Sequence, residues 1–249
     1  MITDEEFQRY HRQILVDGWG MSGQERMKHA SIFVAGAGGL GSAVILYLAA
    51  AGIGTLKICD CDRVALSNLN RQVLYSQKQI GMPKVESARE ALKLTNPYTK
   101  VIELDRKITL ANAKDLVGNV DLIIDCLDNH ETRYALNRVS VSSRIPMIHA
   151  GVIGFRGQIT FLHPPETACL ECFFAPEPGG SKELPIVGCT SGILGTLQAM
   201  EALKYLTDIG KVLRNELLFF DGLTMQFQIM ELDKNPECTV CGVGAGPDR

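Results

Sequence analysis

Between Gly36 and Lys84 the chain carries residues whose types and spacing suit phosphate chemistry. The run opens with Gly36-Ala37-Gly38-Gly39-Leu40-Gly41 and passes through an acidic strand end, Asp60-Cys61-Asp62. It continues with Ser67-Asn68-Leu69-Asn70-Arg71-Gln72 and Gly81-Met82-Pro83-Lys84. The glycines let the backbone approach a phosphate at a helix N-terminus. Asp60 lies 24 residues past Gly36, the reach expected for a ribose hydroxyl, its plainer reading being a solvated strand-end acid. A dinucleotide site needs that acid and little other polarity, whereas here an arginine and a lysine follow it. Arg71 offers a planar fork to phosphate oxygens and Lys84 a point charge. Singly these would be surface residues; with Asn68 and Asn70 they read as a site for ATP rather than NAD. No Gly-x-x-x-x-Gly-Lys-Ser/Thr occurs, so this is not a Walker-type ATPase.

Asp125-Cys126-Leu127-Asp128-Asn129 marks the end of a later strand, the edge where ligands of open sheets bind. A carboxylate there, facing a triphosphate, is a natural Mg²⁺ ligand. Asn129 is either part of that site or the cap of the next helix. Cys169-Leu170-Glu171-Cys172 and Cys238-Thr239-Val240-Cys241 are two C-x-x-C knuckles 66 residues apart. Four thiolates from such pairs close a tetrahedral zinc site, here one that would staple the C-terminus to the middle of the chain. Two matched knuckles favour metal over redox use. Cys59, Cys61 and Cys126 sit in apolar runs and read as small buried hydrophobes. Cys189, in Val187-Gly188-Cys189-Thr190-Ser191-Gly192 just before a long helix, is either a dipole-stabilised thiolate or a small packed residue. His11, His29, His130, His149 and His163 show no ligand spacing and receive no role.

The elements that position these residues follow from pattern. Thr3-Asp4-Glu5-Glu6 is a capping box opening a helix through Leu15, and Ser22-Gly23-Gln24-Glu25 repeats it before a second short helix. Strands are predicted at 31–35, 56–59, 101–104, 122–127 and 147–149. Helices are predicted from the glycine turn to Ala51, from Pro83 at the first helical position to about Asn96, and over 131–142. This alternation predicts a doubly wound, mostly parallel Rossmann-like sheet. After Gly151 the segments 158–162, 217–220 and 226–230 alternate like antiparallel strands, with one long helix over 193–206 between them. The segment from Ala175 to Lys182 is expected to be a mobile loop, and 243–249 a disordered tail. The reading is one α/β domain: a nucleotide-binding half over 1–150 and an antiparallel half over 151–242.

At 249 residues and 46% hydrophobic, the chain can build a core of that size, and its net charge of −3 with no basic stripe leaves no nucleic-acid footprint. The acidic N-terminus lacks the basic start of a secretory signal, and the apolar run Ala43 to Ala51 is too short to span a bilayer. No membrane association and a cytoplasmic location are expected.

Taken in order, Arg9-Tyr10-His11-Arg12-Gln13, the glycine turn, Ser67–Gln72, Gly81–Lys84, Asp125–Asn129 and the two knuckles resemble the ubiquitin-activating-enzyme superfamily, in particular its MoeB/ThiF/HesA branch. The phrases Lys84-Val85-Glu86-Ser87-Ala88-Arg89, Leu197–Ala202 and Asn235-Pro236-Glu237-Cys238 are most similar to the members that serve molybdopterin synthase. The resemblance implies ATP-dependent adenylation of the C-terminal glycine of a small ubiquitin-like sulfur carrier ending in Gly-Gly, for molybdopterin or thiamine-type sulfur transfer. It implies that Gly39 and Asp60 hold the adenosine, and that Asn68, Asn70, Arg71 and Lys84 meet the phosphates. It also implies that Ser67, Leu69 and Leu127 complete the ATP site, that Asp128 holds Mg²⁺ and that the antiparallel half over 151–242 is the carrier-binding half. It further implies a homodimer in which Arg12 enters the neighbouring subunit's site.

Members that bind the carrier covalently place a cysteine about fourteen residues before Gly195-Thr196-Leu197-Gln198-Ala199, which here falls on Ser181. Cys189, eight residues later, is the candidate covalent site, and the departure sets covalent transfer apart from adenylation. Two other readings stand beside this one: an NAD-dependent oxidoreductase, which the turn and Asp60 suit, and a non-catalytic binder of a ubiquitin-like protein. Retention of Arg12, Arg71, Lys84 and Asp128 together argues against the second.

Overall fold

A computed structural model describes residues 1–174 and 184–242. The expected loop over 175–182, the position at Ser181 and the expected tail over 243–249 lie outside the described residues. Eight strands form a single sheet: β1 (Ser31–Ala35), β2 (Thr55–Cys59), β3 (Lys100–Leu104), β4 (Leu122–Asp125), β5 (Met147–Ile153), β6 (Arg156–Leu162), β7 (Glu216–Asp221) and β8 (Gln226–Glu231). Their order is β3-β2-β1-β4-β5-β6-β7-β8. Pairings from β3 to β5 are parallel, and those from β5 to β8 antiparallel. The parallel part is apolar along nearly its whole length, because helices cover both of its faces. β8 is the exposed edge, with Phe227, Ile229 and Met230 facing outward.

Helices are α1 (Asp4–Ile14), α2 (Gly20–His29), α3 (Gly39–Ala50), α4 (Lys84–Thr95), α5 (Ala113–Val117), α6 (His130–Ser143), α7 (Leu170–Phe173) and α8 (Gly188–Thr207). One core cluster gathers Ile32, Val34, Leu48, Ile58 and Ile124 beneath α3 and α8; a second gathers Phe33, Ile123, Leu136 and Met147 beneath α5 and α6. The chain reverses its winding between β1 and β4, and in open α/β sheets that switch point opens a crevice at the carboxyl ends of the strands. No helix among the described residues is long and apolar enough to cross a membrane.

The expected elements are present, with informative shifts. The Thr3/Glu6 capping box forms in full. The second box does not: α2 begins at Gly20, two residues before Ser22, behind Trp19, whose buried indole donates to Gln24 Oε1 at 3.2 Å. Pro83 precedes rather than opens α4, because it pairs with Arg63 in a bridge while the Lys84 N–H donates to Asp62 O. β4 stops at Asp125, two residues short of Leu127, because the Asp125 carboxylate accepts the Leu127 N–H and turns the chain outward. α8 begins five residues before Ile193, which puts Cys189 inside its first turn. Cys59 and Cys126 are buried as expected, but Cys61 is exposed because it lies beyond the end of β2.

Candidate functional site

The crevice at the switch point is a cleft of about 960 Å³, within the range of small-molecule sites. Its floor is the glycine turn between β1 and α3. Gly36 has φ +90°, and a Cβ there would sit 2.8 Å from the Cys126 carbonyl oxygen. A Cβ on Gly41 would sit 2.1 Å from Gly36 O, so the turn closes only without side chains. The Asp60 carboxylate accepts the Ala37 N–H at 2.8 Å, and the Tyr75 hydroxyl donates to Ala37 O at 2.8 Å. The turn is thus held from both sides before any ligand arrives. Burial pushes the Asp60 carboxyl above its ordinary value despite Lys84 and these backbone donors.

The turn supplies Gly39 to the cleft and the end of β2 supplies Asp60. From the loop after β2 come Ser67, Asn70 and Arg71, whose Nη1 donates to Ser67 O at 2.9 Å and Asn70 Oδ1 at 3.0 Å. Lys84 opens α4 with its side chain 6% exposed and its Nζ 2.8 Å from Asp62. Leu127 and the exposed Asp128 close the far side. Asn129 caps α6 by accepting the Thr132 N–H at 3.0 Å, so it is the helix cap while also lining the cleft.

Asn68 of the phosphate group and Leu69 of the expected ATP site stand outside the lining. Asn68 turns its carbonyl oxygen to the Ala65 N–H at 3.1 Å and shapes the loop, and Leu69 packs on the core. Arg12 is exposed in the last turn of α1 and does not line this cleft. Cys189 is exposed in the first turn of α8. Leu184, Pro185 and Ile186 cover one rim, pinned where the Gly154 N–H donates to Pro185 O at 2.6 Å.

Sequence reasoning gave no role to Gln72, Arg106, Lys107 or Arg133, all of which line the cleft. Nor did it see that His149, 1% exposed, faces Asp125 with Nδ1 at 2.7 Å from Oδ2. Burial pushes the Asp125 carboxyl up, but Arg133 and His149 outweigh it and the net shift is downward. Burial lowers the His149 imidazole, keeping it neutral near pH 7. The signal available for a buried His149 was its place in the apolar run Met147-Ile148-His149-Ala150, all buried in β5; its partner was not readable.

The four knuckle cysteines meet at a second place. Their Sγ atoms all lie within 4.8 Å of one another, and Cys169, Cys238 and Cys241 are buried. The separations Cys169–Cys238 3.7 Å, Cys169–Cys172 4.0 Å and Cys172–Cys241 3.4 Å surround the edge of about 3.8 Å that a tetrahedron of 2.3 Å zinc–sulfur bonds requires. Asn137 of α6 donates to Cys169 Sγ at 3.6 Å and accepts the Leu170 N–H at 2.9 Å, the kind of outer contact that orients a ligand. The donor set and spacing fit Zn²⁺. Asp128, an exposed carboxylate at the cleft, offers the kind of oxygen donor that Mg²⁺ takes.

A helix N-terminus with Arg71, Lys84, Arg106, Lys107 and Arg133 around one cleft suits an anionic phosphate chain. The fold superposes on the crystal structure of Escherichia coli MccB with MccA-N7isoASN at a TM-score of 0.87 and 24% identity, covering 94% of this chain and 75% of that one. Over 250 residues the chain is 40% identical to the sulfur carrier protein adenylyltransferase of Thermus thermophilus, covering 96% of this chain and 92% of the relative. It is 38% identical over 245 residues to the molybdopterin-synthase adenylyltransferase of Escherichia coli, covering 97% and 98% respectively. The sequence pattern of the ThiF family matches residues 10–240, from α1 into the second knuckle. With that pattern and those relatives running nearly end to end, the chain belongs to the ThiF family.

Proposed function

We propose that this protein is an ATP-dependent adenylyltransferase that activates the C-terminal carboxylate of a small ubiquitin-like sulfur-carrier protein. The observation that carries the reading is the grouping of the α3 N-terminus, Arg71, Lys84 and Asp128 around one cleft. In the reaction a carboxylate oxygen of the carrier attacks the α-phosphorus of ATP. The bond to the bridging oxygen breaks, and pyrophosphate leaves with the electron pair. Such transfers depend on positioning and charge neutralisation, which these groups supply. Gly39 and Asp60 bind the adenosine, and Asn70, Arg71 and Lys84 bind the phosphates. Ser67 and Leu127 line the site, while Asn68 and Leu69 hold its loop in shape. Asp128 would hold Mg²⁺, which when bound supplies further charge neutralisation on the departing pyrophosphate.

The same reading assigns a homodimer in which Arg12 of one subunit reaches the other's cleft. What supports it is that Arg12 is exposed on α1 and lines no part of its own cleft. The half over 1–150 binds nucleotide and the half over 151–242 meets the carrier. Zn²⁺ on Cys169, Cys172, Cys238 and Cys241 ties the second knuckle to α7. The cytoplasm, where thiols stay reduced, is the compartment that fits these free cysteines. An NAD-dependent oxidoreductase shares the turn and Asp60 but leaves Arg71, Lys84 and Asp128 without work. A binder without activity leaves the cleft itself unexplained.

The test is ³²P-pyrophosphate–ATP exchange against a panel of carriers ending in Gly-Gly. Exchange that depends on one carrier's terminal glycine supports the reading and names the pathway. Nucleotide binding without exchange for any carrier would refute it.

A further inference from the structure

β4 ends in a carboxylate that solvent does not reach, and neither it nor its histidine lines the nucleotide cleft. Asp125 is 0% exposed, and its oxygens are shared among three elements. Oδ2 is 2.7 Å from His149 Nδ1 on β5 and 3.4 Å from Arg133 Nε on α6; Oδ1 accepts the Leu127 N–H at 3.0 Å. Its backbone carbonyl accepts from Gln198 of α8 at 2.8 Å. Arg133 also donates from Nη2 to Leu127 O, and to Ala150 O at 3.1 Å. Both polar backbone groups of Leu127 therefore end on this cluster, and Leu127 is the residue before Asp128.

The histidine is costly to keep as a mere filler. Its Nε2 is buried without a hydrogen-bond partner among the described residues, beside a cavity of about 40 Å³, and Phe174 packs edge-on against the ring at 5.6 Å. With Nδ1 facing a carboxylate, the neutral ring carries its proton there and leaves Nε2 a bare acceptor. An apolar side chain would fill the space with no orphaned nitrogen. What only the imidazole supplies is a directed donor to Asp125, and a carboxylate so held can aim its other oxygen at one amide.

We propose that His149 and Asp125 are positioning residues for the adenylation reaction. His149 fixes the rotation of Asp125, Asp125 fixes Arg133 and the Leu127 amide, and Asp128 is thereby presented to the cleft in one orientation. The proposal rests on the role assigned above to Asp128.

Two variants test it, His149→Leu and His149→Asn, the second able to donate from near the Nδ1 position. Three quantities are read on each full-length protein: melting temperature, amide hydrogen exchange of the Leu127–Asn129 segment without nucleotide, and kcat and KM for ATP in pyrophosphate exchange. In His149→Leu the Leu127 amide is expected to lose about tenfold in protection while the sheet keeps its own. Its kcat is expected to fall about tenfold, the lower end of what removing an outer-shell partner costs, with KM little changed. His149→Asn should recover most of both. Unchanged protection at Leu127 in His149→Leu would overturn the proposal, and so would lost protection with an unchanged kcat. A kcat loss of equal size in both variants, with protection falling across the sheet, would reduce His149 to a packing residue. A wild-type protein that exchanges with no carrier would refute adenylation instead, and the amide measurement would still decide the positioning pair.

Discussion

Lys84 Nζ sits 2.8 Å from the Asp62 carboxylate and 4.0 Å from that of Asp60, so the cleft's most buried cation already has two acidic neighbours. Asp62 is 66% exposed and the pair is correspondingly weak, whereas the base of the lysine is rigid: its N–H is bonded to Asp62 O and Pro83 is bridged to Arg63. Only the head of the side chain is free to move. A phosphate entering past the glycine turn exchanges one exposed carboxylate for a stronger anion without disturbing the backbone.

Subunit mixing tests Lys84 and Arg12 together. Lys84→Ala and Arg12→Ala are each expected to be inactive. Mixed in equal amounts with free subunit exchange, they should recover about a quarter of wild-type activity, since half the dimers are mixed and each holds one complete site if the guanidinium acts in trans. Freely exchanging subunits with no recovered activity would place Arg12 in its own site or out of the reaction.

Asp128→Ala should reduce pyrophosphate exchange by about 10²–10³, the usual cost of losing a preorganised charge-stabilising group. Because Asp128 is exposed and follows the pinned Leu127, the variant should fold and melt like its parent. Undiminished exchange removes Asp128 from the mechanism.

Much of this was readable in the chain because the signals were local. The strand 31–35 and the glycine turn need only neighbouring residues to declare themselves, and they occur where expected. The knuckles announce themselves by spacing, and the fold brings them together across 66 residues. What stayed hidden depends on contacts between distant elements. The sequence places Gly188-Cys189-Thr190-Ser191-Gly192 just before the long helix, yet α8 already starts there, with Ser191 Oγ donating to Gly188 O at 2.9 Å and Gly188 seated on the backbone of Asn70. The Asp125–His149 pair joins two adjacent strands whose sequence patterns show only burial, and the shortening of β4 goes with the other carboxylate oxygen of Asp125, which accepts the Leu127 N–H.

The knuckles should hold one zinc per chain by metal analysis. A chelator should lower the melting temperature, because metal binding to a site absent from the unfolded chain is folding free energy. Cys238→Ser should do the same and lose the metal. Its effect should extend to α6, since Asn137 bonds both Cys169 Sγ and the Leu170 N–H. A metal-free protein of equal stability would contradict the site.

Asp125 gives a pH signature. Its folded carboxyl lies below the ordinary value of 3.8, since Arg133 and His149 more than offset the burial that pushes it up. A depressed acid contributes stability that is complete above its unfolded value and lost as pH falls through the folded one. Asp125→Asn should cost about 3 kcal/mol at pH 7 by leaving Arg133 unpaired, and should flatten the fall in stability below about pH 4. Parallel curves for the two proteins through that range would show that Asp125 does not titrate with folding.

Cys189 separates adenylation from covalent transfer. By the family resemblance the transfer-cysteine position is expected at Ser181, and a serine hydroxyl is a far poorer nucleophile at neutral pH than a partly ionised thiol. Cys189 is exposed in the first turn of α8, so access alone does not disqualify it. Yet Cys189 does not line the nucleotide cleft, whereas Ser191, two residues on, does, with its Oγ only 2.8 Å from where a Cβ on Gly39 would stand. An adenylyltransferase that releases its acyl-adenylate to a separate sulfur donor needs no thiol here. Cys189→Ala is therefore expected to retain pyrophosphate exchange, and to retain thiocarboxylate formation on the carrier when sulfide is supplied. A carrier–enzyme conjugate that forms in the parent, is cleaved by thiol reductant and is absent from Cys189→Ala would reverse this and make Cys189 the covalent site.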